Sequence, residues 1–454
     1  MKKWHALLIV AIATSLLNGC LDNGSPADPP AGMTAQPGDG RVKVDWTPNS
    51  GIEYWLFTAT DAALTAFNWT GLANSHVYIN AHPPFYVCGL FNDTPYYFAA
   101  NGRVNGGSGG SSSTTISGTP YNASSTTWVT SSVSTTVTPS LNGVGYTSLT
   151  TCSNNATSAS GSFATVGTGG AVFTSTDGKI WNTPTWQTPA SLPPAFDLYA
   201  VTGYTANQNN TVTPALRWVA VGSGGASVYS TDGSNWNIGR DNLGNPSLRA
   251  ITQVAGTFWA VGDALSGGAA TILSSTDGIT WTAHTSGSTN NLRGIIHGSN
   301  YVAVGDNGTI LTSADGNTWA TQSTVATRIP TINLNHVTAN GNIIVVTGDG
   351  GTIVTSKDAG VTWTIQTLLG TPNLVGIATE SQYLANAIAD TQLGFIANAQ
   401  FVAIDSVGNY YTSPNGLTWS AAKNMTGVSS LNSLVSSGFG YVAVGNAGVT
   451  ASVF

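Results

Sequence analysis

From about residue 140 onward the chain alternates short apolar runs with clusters of Gly, Asn, Asp and Ser, and two kinds of run recur in step. One is an aromatic or aliphatic residue leading into a Val-Ala-Val-Gly-like segment, at 163–167, 218–222, 258–262, 301–305, 343–347, 401–405 and 441–445. The other lies upstream of it and reads Leu-x-x-aliphatic, at 198–201, 248–251, 292–295, 334–337, 374–377 and 431–434, with a weaker 146–149 in the first unit. Runs of this length, rich in β-branched and aromatic residues and bounded by turn formers, predict short strands joined by tight turns. Each kind is counted seven times. The pattern therefore predicts an all-β chain of seven repeated units rather than an irregular set of hairpins.

A third recurrent phrase supplies the rest of each unit. Ser175-Thr-Asp177-Gly178 is followed by Trp181, and the same phrase returns with Trp236, Trp281 and Trp319. Two variants follow, Ser356-Lys-Asp358-Ala-Gly360 with Trp363 and Ser413-Pro-Asn415-Gly416 with Trp419. The Trp-to-Trp intervals of 55, 45, 38, 44 and 56 suit a propeller or solenoid and exclude a heptad. Asp-Gly and Asn-Gly accept the positive φ of tight hairpins, which places the phrase between a third and a fourth strand. Six phrases against seven strand pairs leaves the last unit, which stops at Phe454, without its fourth strand. The segment around Trp128 looks like the tail of the phrase without its head, so it is expected to complete the last unit and close a ring.

These residues carry a resemblance. Residues 121–454 resemble the Asp-box, or BNR-repeat, β-propellers, a group that includes sialidases, xyloglucanases, sortilin-like domains and photosystem II assembly factor-like proteins. The Asp-Gly-x-x-Trp form is nearest to the last of these. The resemblance implies a seven-bladed propeller with a split closing blade, and it leaves function open because the group hosts both enzymes and scaffolds. Residues 29–119 resemble a fibronectin type III domain: Val42, Val44 and Trp46 alternate toward one face, Tyr54 and Leu56 form the next strand, and Tyr96 stands where its hydroxyl bonds back to the backbone.

The amino terminus predicts a destination. Lys2 and Lys3 precede an apolar stretch at 7–17 that is too short to span a bilayer, and Leu17-Asn18-Gly19-Cys20 resembles a bacterial lipobox. This implies a signal peptide at 1–19, lipidation of Cys20 and a flexible tether at 20–28. Leu21, rather than Asp, follows the Cys, which makes an outer-membrane lipoprotein the expected destination. Cys88 and Cys152 remain, one in each domain, and an oxidising compartment makes them a candidate disulfide whose formation depends on geometry.

Composition narrows the chemistry. Charged residues make up 7% of the chain and the net charge is −7, so the basic stripe that nucleic acid requires is missing. Asp177, Asp232, Asp277, Asp315 and Asp358 are expected to bond their own turns and not a substrate. A sialidase-type site needs an arginine triad and a Tyr-Glu pair, yet residues 121–454 contain Glu380 as their one Glu. No metal-ligand spacing, nucleophile elbow or phosphate loop occurs, so no cofactor and no metal are expected.

Two features stand as a candidate ligand face. Asp263, Asp306 and Asp349 follow the second strand in three successive units, where turn preference alone also accounts for them. Arg249 and Arg293 share one slot in the leading strands of neighbouring units, filled elsewhere by Tyr199, Asn335, Val375 and Asn432; a solvated packing role and an anion site both fit such a pair. Insertions at 203–217 and 379–400 are the long loops on which specificity usually resides. The reading is a lipid-anchored, non-catalytic binding or assembly scaffold with a protein or glycan partner. Its alternatives are a sialidase-like or xyloglucanase-like glycoside hydrolase and a surface adhesin.

Overall fold

The computed structural model describes residues 25–38, 41–88, 90–91, 93–120, 128–133, 138–147, 162–187, 195–206, 215–240, 245–322, 328–329, 331–379, 401–437 and 440–453. Throughout these the chain is strands, turns and short 3-10 segments. It divides into two compact units, the change falling between Asn122 and Ala123.

The first unit is a sandwich of two sheets. Strands Ala31–Gly38, Arg41–Thr47 and Phe85–Cys88 form one, and Glu53–Ala59, His76–Ala81 and Tyr96–Arg103 form the body of the other. Alternation puts Val42, Val44 and Trp46 inward against Tyr54, Leu56 and Phe98, all buried in one cluster. The Tyr96 hydroxyl accepts a hydrogen bond from the Phe91 N–H at 3.2 Å, tying a loop to the strand that follows it. The tether ends earlier than the sequence suggests. Pro26–Ala27 already pairs with Tyr96–Arg103, because Ser25 and its neighbours find open backbone partners on that strand's edge.

The second unit is propeller-like. Among the described residues it contains seven sheets, each led by one of the Leu-initiated strands: Leu141–Thr147, Leu198–Ala206, Leu248–Val254, Leu292–His297, Leu334–Asn340, Leu374–Thr379 and Leu431–Ser436. Each leading strand touches the next, and Leu431–Ser436 returns to Leu141–Thr147, so the succession closes on itself. The last sheet is completed by Val129–Ser132, which pairs antiparallel with Val449–Val453 in the register Val449↔Ser132 to Ser452↔Val129.

The core lies between sheets and not within them. Val302, Val304 and Ile310 of the fourth sheet are buried against Leu334, Ile344 and Val346 of the fifth. The same holds at the closure, where Val442 and Val444 pack on Leu141, Val144 and Phe163. Burying one such side chain is worth roughly 1.5–3 kcal/mol, so a sheet stripped of a neighbour loses half its support. The glycine that ends the Val-Ala-Val run has a spatial reason. At Gly305, in extended backbone, an added Cβ would lie 1.9 Å from the carbonyl oxygen of Asn291, and no side chain fits there.

Three features differ from the pattern in the sequence. In the first sheet Leu141 pairs with Gly167, as Leu292 pairs with Gly305, so the leading Leu-x-x-aliphatic segment is Leu141 to Val144 and not the segment at Tyr146. Register is set by which face carries the apolar set, and Leu141 and Val144 are the buried pair. Among the described residues that sheet also shows no regular fourth strand: after one bridge from Thr174 to Asn182, the chain runs Thr185–Trp186 parallel to Asn235–Arg240 of the second sheet. Trp186 is buried there with Phe196 and Trp236, and that burial outweighs hairpin continuation. Finally, the described ends of the insertion at 203–217, residues 203–206 and 215–217, lengthen a hairpin in which Gly203 pairs with Trp218 and Ala206 with Ala215; residues 207–214 lie outside the described residues, as does 380–400.

Deleting residues 121–137 removes the strand that completes the last sheet, together with buried Trp128 and Val133. The expected result is a loss of more than about 4 kcal/mol in urea unfolding, enough to unfold most domains. An unchanged urea midpoint would show that the last sheet does not depend on this strand.

Candidate functional site

The Ser-Asp-Gly phrase builds the same turn each time. In the second sheet the Ser230 hydroxyl accepts from the Gly233 N–H at 2.8 Å and donates to Asp232 Oδ1, which itself accepts from the Ser234 and Asn235 N–H groups at 2.8 and 2.7 Å. Asp177, Asp277 and Asp315 repeat this arrangement, and in the longer variant Asp358 accepts from Thr362 N–H and hydroxyl. The Trp that ends the phrase donates its indole N–H to the turn glycine's carbonyl in the second, fourth, fifth and sixth sheets. For Asp232 burial pushes the carboxyl up, but bonds from Asn235 and Ser234 outweigh it and leave it below the ordinary value. Asp358, bonded first by the Thr362 hydroxyl and then by its N–H, is drawn down to about 2. These carboxylates are held by their own hairpins.

The Arg slot turns out to be a β-bulge. In all seven leading strands the register shifts between the leucine and the residue two positions on, as between Leu248 and Ala250 or Leu292 and Gly294. The skipped residue is Asn142, Tyr199, Arg249, Arg293, Asn335, Val375 or Asn432. A bulge re-aims a side chain, and here it turns the slot residue toward the end of the ring where the second strand meets the third. Arg249 there donates Nε and Nη2 to Asp263 at 2.9 and 2.8 Å, Arg293 Nε pairs with Asp306, and Asn335 donates to Asp349 at 2.8 Å. The two groups that the sequence offers as separate candidates are thus one set of cross-strand pairs. The bond to Asp263, against the opposing effect of burial, raises the Arg249 guanidinium further above its already high value.

Arg249 and Arg293 of these pairs line a cavity of about 270 Å³ bounded by the leading strands. Tyr199 stands beside Arg249, whose guanidinium carbon lies 4.7 Å from the ring centroid. His336, one residue past its bulge, is set into the wall, and burial there, assisted by Arg293, drives its imidazole down to about 4. Sequence reading passed over His336 and placed Tyr199 as a filler. For Tyr199 the signal was the slot itself, and for His336 the position just after it, where every other sheet has Gly, Ala or Ser. Cys20, Cys152 and Glu380 lie outside the described residues, and Cys88 ends a strand in the first unit.

Residues 205–425 match the family described as the DUF6242 beta propeller domain. No curated protein matches the chain. Among solved structures the chain is similar to YCF48 bound to D1 peptide, at 16% identity over 73% of this chain and 97% of that one, with a TM-score of 0.50. It is also similar to virginiamycin B lyase from Staphylococcus aureus, at 10% identity over 72% of this chain and 98% of that one, with a TM-score of 0.52. At such identities the likeness is one of fold: the second unit is a propeller-like all-β domain.

The turns make acid stability predictable. The box carboxyls sit below their unfolded value of about 3.9, so their stabilisation is complete above about pH 4 and is lost as pH falls toward the folded value, about 2 for Asp358. Thermal midpoints should therefore drop between about pH 4 and pH 2. Asp358→Asn keeps the acceptor oxygen, as Asn415 does toward Leu417 and Thr418 in the sixth sheet, and removes the titration. Its midpoint should fall less steeply over the same interval, and an identical slope would remove Asp358 from the cause.

Proposed function

We propose that this is a lipid-anchored cell-envelope protein, held by Cys20, whose fibronectin type III-like domain carries a seven-bladed propeller with a split closing blade that acts as a non-catalytic binding or assembly scaffold for a protein partner. The observation that carries the reading is the state of the propeller's carboxylates. Asp177, Asp232, Asp277, Asp315 and Asp358 are bonded within their turns, Asp263 and Asp306 to Arg, Asp349 to Asn333 and Asn335, and Asp405 to its own turn and Tyr411. Two-carboxylate hydrolysis needs one carboxyl held protonated and a second poised opposite it, whereas these are arranged for structure.

The face at the channel mouth suits a partner. Leu265 and Val407 lie in turns between second and third strands, and Leu369 lies in the connection from the fifth sheet to the sixth; they are 56, 63 and 98% exposed. Antiparallel alternation puts all three at the same end of the ring as Arg249 and Arg293. Exposed apolar side chains suit protein contact, and Ile180, Ile279 and Val361 in the box turns expose others at the opposite end. YCF48, which shares the fold, has been solved bound to D1 peptide, so a polypeptide partner is consistent with this architecture.

The anchor is tested first. Cys20→Ser should abolish incorporation of labelled palmitate and release the protein from the membrane fraction, and undiminished labelling would refute lipidation at this residue. The partner is tested by co-purification of the mature protein from its own envelope. A partner recovered with the native chain should fall by about tenfold with Leu369→Asp/Val407→Asp, roughly the cost of burying a charge in an interface. Glycoside hydrolysis that disappears in Glu380→Gln would replace the scaffold reading with the enzyme.

A further inference from the structure

Seven equivalent sheets should present seven equivalent walls to the central channel, and they do not. In four consecutive sheets, the second to the fifth, the bulge or the residue after it brings Tyr199, Arg249, Arg293 and His336 to the cavity. In the sixth, seventh and first sheets the residue after the bulge is Gly376, Ser433 or Gly143. The bulged Asn432 and Asn142 of that arc turn their amides to backbone carbonyls, those of Leu141 and Leu198. At the level of the bulges one arc of the wall thus carries large polar groups and the other small residues, with Tyr146 of the first sheet lining the cavity farther along its strand.

Charge is uneven in the same sense. The cavity lining includes two Arg and one His and no Asp or Glu. Asp263 and Asp306 grip the guanidiniums from outside that lining, through Nε and Nη2 of Arg249 and Nε of Arg293. A guanidinium pinned on one edge and stacked on Tyr199 is oriented before any ligand arrives, which lowers the ordering cost of binding. The His336 backbone is paired in its strand, and its half-buried imidazole lines the cavity without a side-chain hydrogen bond to another described residue. An imidazole presented at a cavity wall beside two guanidiniums can meet a polar ligand atom with either ring nitrogen.

The geometry points to a binding site in the central channel for a small organic oxyanion, its carboxylate or phosphate oxygens held by Arg249 and Arg293 and a further polar atom met by His336. Kept neutral at physiological pH, the imidazole offers one donor and one acceptor and adds no second cation. This goes beyond the partner reading, which concerns the outer face and rests on Leu369 and Val407.

Calorimetry of the mature protein with succinate, citrate and inorganic phosphate, beside neutral succinamide, tests it. At least one anion should bind while succinamide does not, and the choice between the carboxylates and phosphate identifies the head group. Arg293→Ala and His336→Gln should each weaken binding by about tenfold or more with the thermal midpoint kept, the size expected for one charge-assisted bond. In ring-labelled protein the His336 resonances should shift on titration, while those of His76 and His284 stay. Should either variant unfold, the resonance shift in the native protein decides. Absence of binding at millimolar anion, or unchanged His336 resonances on binding, overturns the site; neither result bears on co-purification of a protein partner.

Discussion

The ring depends on the seat that the Asp-box glycines of the third to sixth sheets take against the sheet before them. Gly316 of the fourth sheet adopts φ +76°, and a Cβ there would lie 2.3 Å from the Trp259 ring of the third. Gly278 presses on Val219 in the same way, and Gly416 on Val345. Hydrogen bonds follow the packing: the Gly278 carbonyl accepts from Ser227 of the preceding sheet, and the Gly416 carbonyl from Thr355 and Gln366. One residue therefore meets two demands, the left-handed backbone of a tight hairpin and the closest approach between neighbouring sheets. The Ser and Asp of the phrase fix the turn so that its glycine is presented at the right height. Because burial lies between sheets, this local motif governs the global assembly, and closure by Val129–Ser132 gives the last sheet the same completeness as the others.

What was legible in the sequence was whatever is determined within a few residues. The Ser230–Asp232–Gly233 turn closes its bonds over three positions, so residue order alone specifies it. The Val-Ala-Val-Gly strands were legible for a related reason, since both of their faces are buried and the run is apolar throughout. The first sheet was harder. Its leading strand carries Gly143 and Gly145, which approach the backbone at Tyr199 and Val201 too closely for any side chain, and those glycines erase the hydrophobic signature. The departure of Thr185–Trp186 to the second sheet was not legible either, because the attraction is burial against Trp236, some fifty residues away.

The site was half legible. Arg249 and Arg293 stood out as a shared slot, and Asp263 and Asp306 as a shared turn position, but the pairing between them depends on a bulge. A bulge leaves no composition mark here, since Asn, Tyr, Arg and Val all occupy it. Its effect is to add one residue to one strand and so to rotate the slot out of the sheet's alternation. With that rotation the Arg side chains reach the turn carboxylates of their own sheets. His336 escaped notice because it follows the bulge, at a position that repeat logic assigns to a small residue.

Departures from the repeat are for that reason more informative than the repeat. Selection for a stable ring acts alike on every sheet, and it explains why leucine, the Val-Ala-Val run and the box recur. It gives no reason for Tyr199, Arg249, Arg293 and His336 to come from four sheets in succession while the residues after the other three bulges are Gly or Ser. The Arg–Asp pairs are solvent-facing, a setting in which such bridges add little to stability. An imidazole held uncharged in a cavity wall, with no bond to another described residue, adds a desolvation cost on top. A feature that stabilises little, costs something and breaks a sevenfold pattern on one side is more economically explained by what it contacts than by what it supports. The channel arc is where this propeller-like domain differs from a bare ring.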